Sequence, residues 1–166
     1  MNRRKDTVYK TIQISRESIN PPDLSEVIEL GLELAREGRE GRKIGSMFVI
    51  SDEKTTLAKS RCMILDPLAG HPPSKKNITD KNMRETIKEL SQLDGAFIIS
   101  DDGIVLSACR YIHADSSGVE VPLGLGSRHI AAAAITLAAD CAAVVVSESS
   151  VVRVFYRGEV VFESAV

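Results

Sequence analysis

A glycine-rich segment in the second half of the chain, residues 123–130, carries most of the groups that could do chemistry. Its two glycines at alternate positions predict a tight turn whose backbone can approach a ligand closely. Ser127, Arg128 and His129 follow the turn, and the alanine-rich residues 131–138 behind them predict a helix. Unpaired N–H groups and the positive end of the helix dipole make such a helix start an anion site. Cations oppose the dipole at that end, so Arg128 and His129 indicate a bound anion such as phosphate. The alternative is an ordinary helix start with a surface arginine and a locally satisfied histidine.

A carboxylate, Asp94, stands beside Gly95 where a predicted helix ends and a predicted buried strand begins. Strand ends hold side chains rigidly and suit catalytic or metal-binding carboxylates, although an Asp-Gly pair is also common in ordinary turns. Together with a phosphate site, Asp94 predicts a divalent cation, Mg²⁺ or Mn²⁺, held by one carboxylate and substrate phosphates. The pairing favours phosphoryl or nucleotidyl transfer, which depends on positioning and charge neutralisation more than on covalent chemistry.

Other familiar sites fit the sequence poorly. The chain has no GxxxxGK[ST] segment, and the glycine turn lacks the third glycine of a dinucleotide fingerprint. Ser127 and His129 lie too close along one turn to face each other as in a hydrolase triad. Cys62, Cys109 and Cys141 are far apart and form no CxxC pair, so they predict small buried hydrophobes in a reducing compartment rather than a zinc site or disulfides.

Length and composition predict one cytoplasmic domain over residues 1–166, with an N-terminal extension at 1–22 and a core from about 23. Hydrophobic residues make up 43% and charged residues 27% of the 166, which is ordinary for a globular protein. The net charge of −2 and the 4% aromatic content without tryptophan argue against a nucleic-acid partner. No apolar run reaches the roughly 18 residues of a membrane span, so no membrane partner is expected.

Helices and strands alternate along the chain, but some strands also pair as hairpins. The sequence therefore predicts an α/β fold with a central mixed β-sheet flanked by helices. Asp23 with Glu26 predicts the start of the first helix, with Asp23 as its N-cap, and Gly38 its end. Residues 51–54 read as a turn. The other predicted helices are 82–91 and the one after Gly126, and the predicted strands are 46–50, 61–65, 97–100, 104–112, 142–147, 151–156 and 160–163.

Residues 93–96 (Leu-Asp-Gly-Ala) and 126–129 (Gly-Ser-Arg-His) resemble the two signatures of the diadenylate cyclase domain family, its DGA and RHR motifs. The resemblance runs from about Gly41 to the terminal hairpin, which is about three quarters of the chain. Order and flanks also match, since a strand pair lies between the motifs and a Val-Val-Ser-Glu stretch follows at 145–148. Membership implies condensation of two ATP into cyclic di-AMP with release of two pyrophosphates.

The resemblance also implies a role for each matching position. Asp94 would bind the divalent metal, Mn²⁺ or Mg²⁺, and help to activate the ribose 3′-hydroxyl. The adenine would be bordered by Gly95, Ala96, Tyr111 and Ile112. The triphosphate would be held by Ser127, Arg128 and His129, with Ser147 and Glu148 near its far end or the metal. The implied nucleotide-binding residues are Gly95, Ala96, Tyr111, Ile112, Gly126, Ser127, Arg128, His129, Ser147 and Glu148, and the implied catalytic residues are Asp94, Arg128 and His129.

Because one domain holds one ATP while the product joins two nucleotides, the resemblance implies a homodimer or higher oligomer with facing sites. The chain departs from the family at Ile130, where many members have the third motif arginine, and Ile130 is expected to face the core. A non-catalytic module that senses ATP or a cyclic dinucleotide is the first alternative. An unrelated phosphotransferase or phosphatase is the second.

Overall fold

Seven strands form one mixed sheet in the part of the chain that the computed structural model describes, residues 21–51 and 53–166. The strand order is β2-β4-β3-β1-β5-β6-β7. Strand β1 lies in the middle, parallel to β3 and antiparallel to β5, and every other pairing is antiparallel. This topology confirms the predicted α/β fold with a central mixed sheet. The strands are β1 Ser46–Ser51, β2 Ser60–Cys62, β3 Ala96–Ile99, β4 Val105–Ile112, β5 Cys141–Val146, β6 Val151–Tyr156 and β7 Glu159–Ala165.

Helices cover both faces of the sheet. Helices α1 (Pro21–Glu37) and α3 (Lys81–Leu90) pack on one face around Phe48, Phe97 and Val144. Helices α2 (Glu53–Ala58) and α4 (Ser127–Ala138) pack on the other, around Val49, Ile98 and Phe155. The central strands β1, β3 and β5 are buried on both faces, which explains their continuous apolar sequences.

Several predicted boundaries were wrong. Helix α1 begins at Pro21, so Asp23 lies in its first turn, where its charge complements the helix dipole, rather than at the N-cap. Residues 53–58, of which 53 and 54 were predicted as turn, form helix α2. Strand β2 runs from Ser60 to Cys62, so it covers only residues 61 and 62 of the strand predicted at 61–65. Cys62 is exposed, whereas Cys109 and Cys141 are buried as predicted. The predicted extension at 1–22 lies, except for its last two residues, outside the described residues.

The pairing of β3 with β4 is irregular near the start of β3. Its register shifts between Ala96 and Ile98, and Cys109 on β4 has a positive φ of 55°, which marks a β-bulge. Gly95 sits against this bulge with a φ of +101°. A Cβ at Gly95 would lie 2.6 Å from the carbonyl carbon of Cys109, so only glycine fits where the chain enters β3. The bulge therefore constrains the backbone immediately after Asp94, where the chain enters the sheet.

Candidate active site

A cleft of about 480 Å³ opens between the start of β3, the end of β4 and the N-terminus of α4. A second recess of about 240 Å³ adjoins it and shares Ser127 and Arg128 with it. Every site residue predicted from the sequence borders one of the two. The cleft is bordered by Asp94, Gly95, Ala96, Tyr111, Ile112, Ser127 and Arg128, and the recess by Gly126, Ser127, Arg128, His129, Ser147 and Glu148.

Arg128 stands at the junction of the cleft and the recess. One of its terminal nitrogens lies 3.9 Å from a carboxylate oxygen of Asp94, and the other lies 3.9 Å from one of Glu148. The two carboxylates are 87% and 71% exposed, so each pair contributes little to stability. A polyanion entering the cleft can therefore replace either carboxylate at the guanidinium at small cost.

Gly45, just before β1, is a residue of the site that sequence reasoning missed. A Cβ at Gly45 would lie 2.6 Å from a terminal nitrogen of Arg128 and 3.0 Å from its central guanidinium carbon. The guanidinium therefore occupies the space that any other side chain at this position would fill. Gly45 belongs to the segment that supported the family resemblance, but only the folded chain shows that it faces Arg128.

The N-terminus of α4 has the features of an anion site. Its N-cap, Gly126, has no side chain to bond the exposed N–H groups. The backbone N–H groups of His129 and Ile130 both donate to the Gly126 carbonyl. Those of the two preceding residues, Ser127 and Arg128, have no partner within the helix. These groups, the Ser127 hydroxyl and the positive end of the helix dipole all suit a phosphate.

His129 was predicted to be a cation at the helix start, but its surroundings favour a neutral ring. Its side chain is buried, its ring centroid lies 6.1 Å from that of Phe155, and its Nε2 lies 3.3 Å from a terminal nitrogen of Arg153. Burial lowers the pKa of His129, and the positive charges of Arg153 and Arg128 lower it further. The imidazole is therefore neutral near pH 7 and offers a hydrogen bond rather than a charge.

Tyr111 and Ile112, at the end of β4, border the opposite end of the cleft. The Tyr111 ring is 47% exposed, and the Arg61 guanidinium lies 4.9 Å from its centroid. Met63 and Arg110 also border the cleft, although the sequence argument named neither. A half-exposed aromatic ring beside apolar side chains is suited to a planar heterocycle.

Ser147 and Glu148 follow β5 and close the far side of the recess. The Ser147 hydroxyl lies 2.7 Å from that of Ser149, and the Ser149 N–H donates to it. This local turn presents the Glu148 carboxylate to Arg128.

Ile130 does not face the core as expected. It is 38% exposed and borders the cleft, because it lies at the solvent edge of α4. The cleft wall is therefore apolar at the position where many family members have an arginine.

A divalent metal would have few protein ligands here. Within residues 21–51 and 53–166, no three histidine, cysteine, aspartate or glutamate side chains cluster at ligand distance. Asp94 is the exposed carboxylate at the cleft mouth, and a single carboxylate completed by substrate phosphates and water is a donor set that Mg²⁺ or Mn²⁺ accepts. The residues present therefore fit a cation that arrives with a phosphorylated ligand.

None of the helices described by the structure combines the length and apolar character needed to cross a membrane.

Comparison with known proteins gives consistent similarities. A family model described as DisA bacterial checkpoint controller nucleotide-binding matches residues 33–160. Diadenylate cyclase from Methanocaldococcus jannaschii is 48% identical over 142 residues, which is 85% of this chain and 45% of that protein. Diadenylate cyclase from Haloferax volcanii is 38% identical over 147 residues, which is 87% of this chain and 53% of that protein. The chain thus spans about half the length of these relatives.

Two solved structures share the fold. A double mutant of DacA from Staphylococcus aureus aligns with a TM-score of 0.55 and 22% identity, covering 84% of both chains. A hypothetical membrane spanning protein from Bacillus cereus aligns with a TM-score of 0.61 and 20% identity, covering 86% of this chain and 63% of the other. At these identities the likeness concerns the architecture of the sheet and helices.

Proposed function

Because the chain belongs to the family described as DisA bacterial checkpoint controller nucleotide-binding, we propose that it is a diadenylate cyclase, which condenses two ATP molecules into cyclic di-AMP. The observation that carries the proposal is the meeting of both motifs at one guanidinium, with Arg128 3.9 Å from Asp94 at the helix start that suits a phosphate. Relatives that are named diadenylate cyclases and cover most of the chain support it.

The reaction is two nucleotidyl transfers. In each, a ribose 3′-oxygen loses its proton and bonds to the α-phosphorus of the other ATP, while the bond from that phosphorus to the β-phosphate oxygen breaks and pyrophosphate leaves. Catalysis of this kind depends on alignment and on neutralising the charge that builds on the leaving group. Arg128 and the N-terminus of α4 supply positive potential for that charge.

In the proposed complex, the nucleotide spans both cavities. Tyr111 and Ile112 suit the adenine in the cleft, and Ser127 and Arg128 suit the triphosphate where the cleft meets the recess. Asp94 would hold Mn²⁺ or Mg²⁺ with the substrate phosphates. When bound, the cation neutralises phosphate charge and lowers the pKa of the attacking hydroxyl.

Cyclisation needs two ATP molecules placed head to tail. One chain offers one such cleft in its described part, so the proposed active species is a homodimer or higher oligomer in which two clefts face each other. Two residues of the cleft are well exposed: Asp94, whose side chain is 87% exposed, and Tyr111, which is 47% exposed. They lie on the open side of the cleft, which the site of a second chain would have to face.

The test is incubation of the purified chain with ATP and either Mn²⁺ or Mg²⁺, with products identified by mass spectrometry. Wild type is expected to form cyclic di-AMP and pyrophosphate. Asp94→Asn keeps the shape of the side chain but removes its charge, so it is expected to lower turnover by at least about a hundredfold. Asp102→Asn, on the turn between β3 and β4 away from the cleft, is the matched control and should leave turnover unchanged.

Two other outcomes would replace the proposal. The apolar Ile130 in the cleft wall favours a non-catalytic nucleotide sensor as the second candidate. ATP binding without product in either metal would support the sensor, and Ile130→Arg would be the next variant. Release of inorganic phosphate instead of pyrophosphate would indicate a phosphatase or another phosphotransferase.

A further inference from the structure

Arg153 reaches from β6 to His129 on α4. One of its terminal nitrogens lies 3.3 Å from Nε2 of the imidazole, and its Nε lies 2.7 Å from the carboxylate of Glu163 on β7. The Arg153 side chain is only 15% exposed. Its guanidinium therefore lies between two partners, of which His129 borders the recess.

The contact with Arg153 determines which nitrogen of His129 carries the proton. A guanidinium has hydrogen-bond donors and no acceptor, so Nε2 must be the acceptor of this bond. A neutral imidazole that accepts at Nε2 carries its proton on Nδ1. The ring is neutral near pH 7, since burial and the charges of Arg153 and Arg128 all lower the pKa of His129.

The other ring nitrogen, Nδ1, makes no hydrogen bond within the described part of the fold. It is buried, and no hydrogen-bond partner for it exists among the described residues. A buried donor without a partner is unfavourable, so an acceptor brought by a ligand would be favoured. His129 borders the recess together with Ser127 and Arg128, the residues that suit a phosphate.

We propose that Arg153 is a positioning residue that holds His129 in its Nδ1-protonated form, so that the ring donates Nδ1–H to a phosphate oxygen of the bound nucleotide. The identity of that ligand as ATP rests on the proposed function. The fixing of the tautomer rests only on the contact of Arg153 with His129. Arg153 thus acts from a strand that neither sequence motif includes.

The first measurement is the tautomer of His129 by nitrogen-15 NMR, which is simplified because the chain has only three histidines. Wild type should show Nδ1 protonated and Nε2 bare at neutral pH. Arg153→Met keeps the apolar stem but removes donor and charge, so a mixture of tautomers and a higher pKa of His129 are expected. Arg153→Lys restores a charged donor, so it should restore both the Nδ1-protonated tautomer and the low pKa of His129.

The second measurement is ATP binding to the same proteins. In wild type, ATP should move the Nδ1–H resonance downfield, which reports a new hydrogen bond. Arg153→Met should weaken ATP binding about tenfold, as expected for one hydrogen bond to a charged group. The matched control is Arg157→Met, since the Arg157 guanidinium lies over Tyr156, 5.4 Å from its ring centroid, and not at His129.

A wild-type Nε2-protonated tautomer, or an unchanged tautomer in Arg153→Met, would overturn the inference whatever the activity. ATP binding without a change at Nδ1–H would overturn its ligand part. The expected tautomer in a wild type that makes no cyclic di-AMP would support Arg153 as the positioning residue and reject the proposed function. Should Arg153→Met not fold, Arg153→Gln replaces it, because its neutral amide can donate or accept and should likewise give a mixture of tautomers.

Discussion

Arg128 can reach two carboxylates at once because Gly45, which has no side chain, leaves room beside β1 for its guanidinium. The atom that a Cβ at Gly45 would meet first is the end of a flexible side chain, at 2.6 Å, rather than backbone. A larger residue there would therefore move Arg128 and leave the sheet in place. Gly45 thus affects the site by leaving room for the guanidinium.

Gly45→Ala is expected to lower kcat/KM for ATP by about tenfold to a hundredfold, the cost of displacing one charged hydrogen-bonding group. The thermal midpoint should change little. Steady-state kinetics and thermal unfolding measure the two effects. Since Gly45 acts through Arg128, Gly45→Ala should cause no further loss of kcat/KM when Arg128 has already been replaced by alanine. Additive losses in the double variant would show a separate role for Gly45.

Gly95 has a structural requirement that does not depend on catalysis. Gly95→Ala would strain a backbone with a φ of +101° and bring the Cβ into the Cys109 backbone. Gly118→Ala is the matched control, because Gly118 has a φ of +84° but no atom within 4 Å of its Cβ position. We expect Gly118→Ala to lower the free energy of unfolding by about 1–2 kcal/mol. Gly95→Ala should lower it by about 1–3 kcal/mol more because of overpacking. Urea unfolding measures both losses. Equal losses in the two variants would contradict this.

At the scale of elements, α1 and α3 are joined by a cluster of ion pairs that lies on the face of the sheet opposite α4. Lys88, 5% exposed, contacts Glu33 at 3.0 Å, Glu85 at 3.1 Å and Glu37 at 3.3 Å. Arg84 contacts Glu33 at 2.8 Å. Burial alone would raise the pKa of Glu33, but hydrogen bonds from Lys88 and Arg84 outweigh it and lower that pKa.

This cluster predicts how stability depends on pH. A carboxyl group whose pKa is lower in the folded than in the unfolded chain contributes stability above its ordinary pKa of about 4.3, and loses it as the pH falls through the folded value. Glu33→Gln is expected to lower the free energy of unfolding by about 1–2 kcal/mol at pH 7 and much less at low pH. Urea unfolding at both pH values, with the exposed Glu159→Gln as control, measures this. A loss that is independent of pH would refute it.

The first turn of α4 borders the site, whereas the rest of the helix packs against the sheet. Behind its first turn, Ala132, Ala133 and Ile135 are buried against the sheet and anchor the helix through small apolar contacts. This packing lets Ser127 and Arg128 face the cleft while His129 is held against Phe155 and Arg153. Rigid support of this kind favours a site that must hold phosphates in one geometry.

At the scale of the whole molecule, the proposed reaction needs two chains. A monomer should bind ATP but make no cyclic di-AMP. On dilution through the dissociation constant of the oligomer, specific activity should fall in parallel with the oligomer fraction, because each cyclisation needs two facing sites. Activity assays and analytical ultracentrifugation over the same concentrations test this. Constant specific activity in a sample shown to be monomeric would reject facing sites.

Local patterns were enough to predict much of the molecule. Continuous apolar stretches indicated the buried central strands, and the glycine turn before an alanine-rich stretch indicated a helix beginning next to Gly126. These features depend on residues within a few positions of one another, so they are visible in sequence order. The same is true of the two short motifs, which identified the family.

Contacts between distant segments were decided only by the tertiary structure. No local pattern relates Gly45 to Arg128 or Arg153 to His129, because strand order and register bring these residues together across the sheet. Exposure of Ile130 likewise depends on how α4 sits on the sheet rather than on its apolar neighbours in sequence. The sequence by itself determined most of the elements and the motif residues, whereas packing decided which side chains meet and what charge His129 carries.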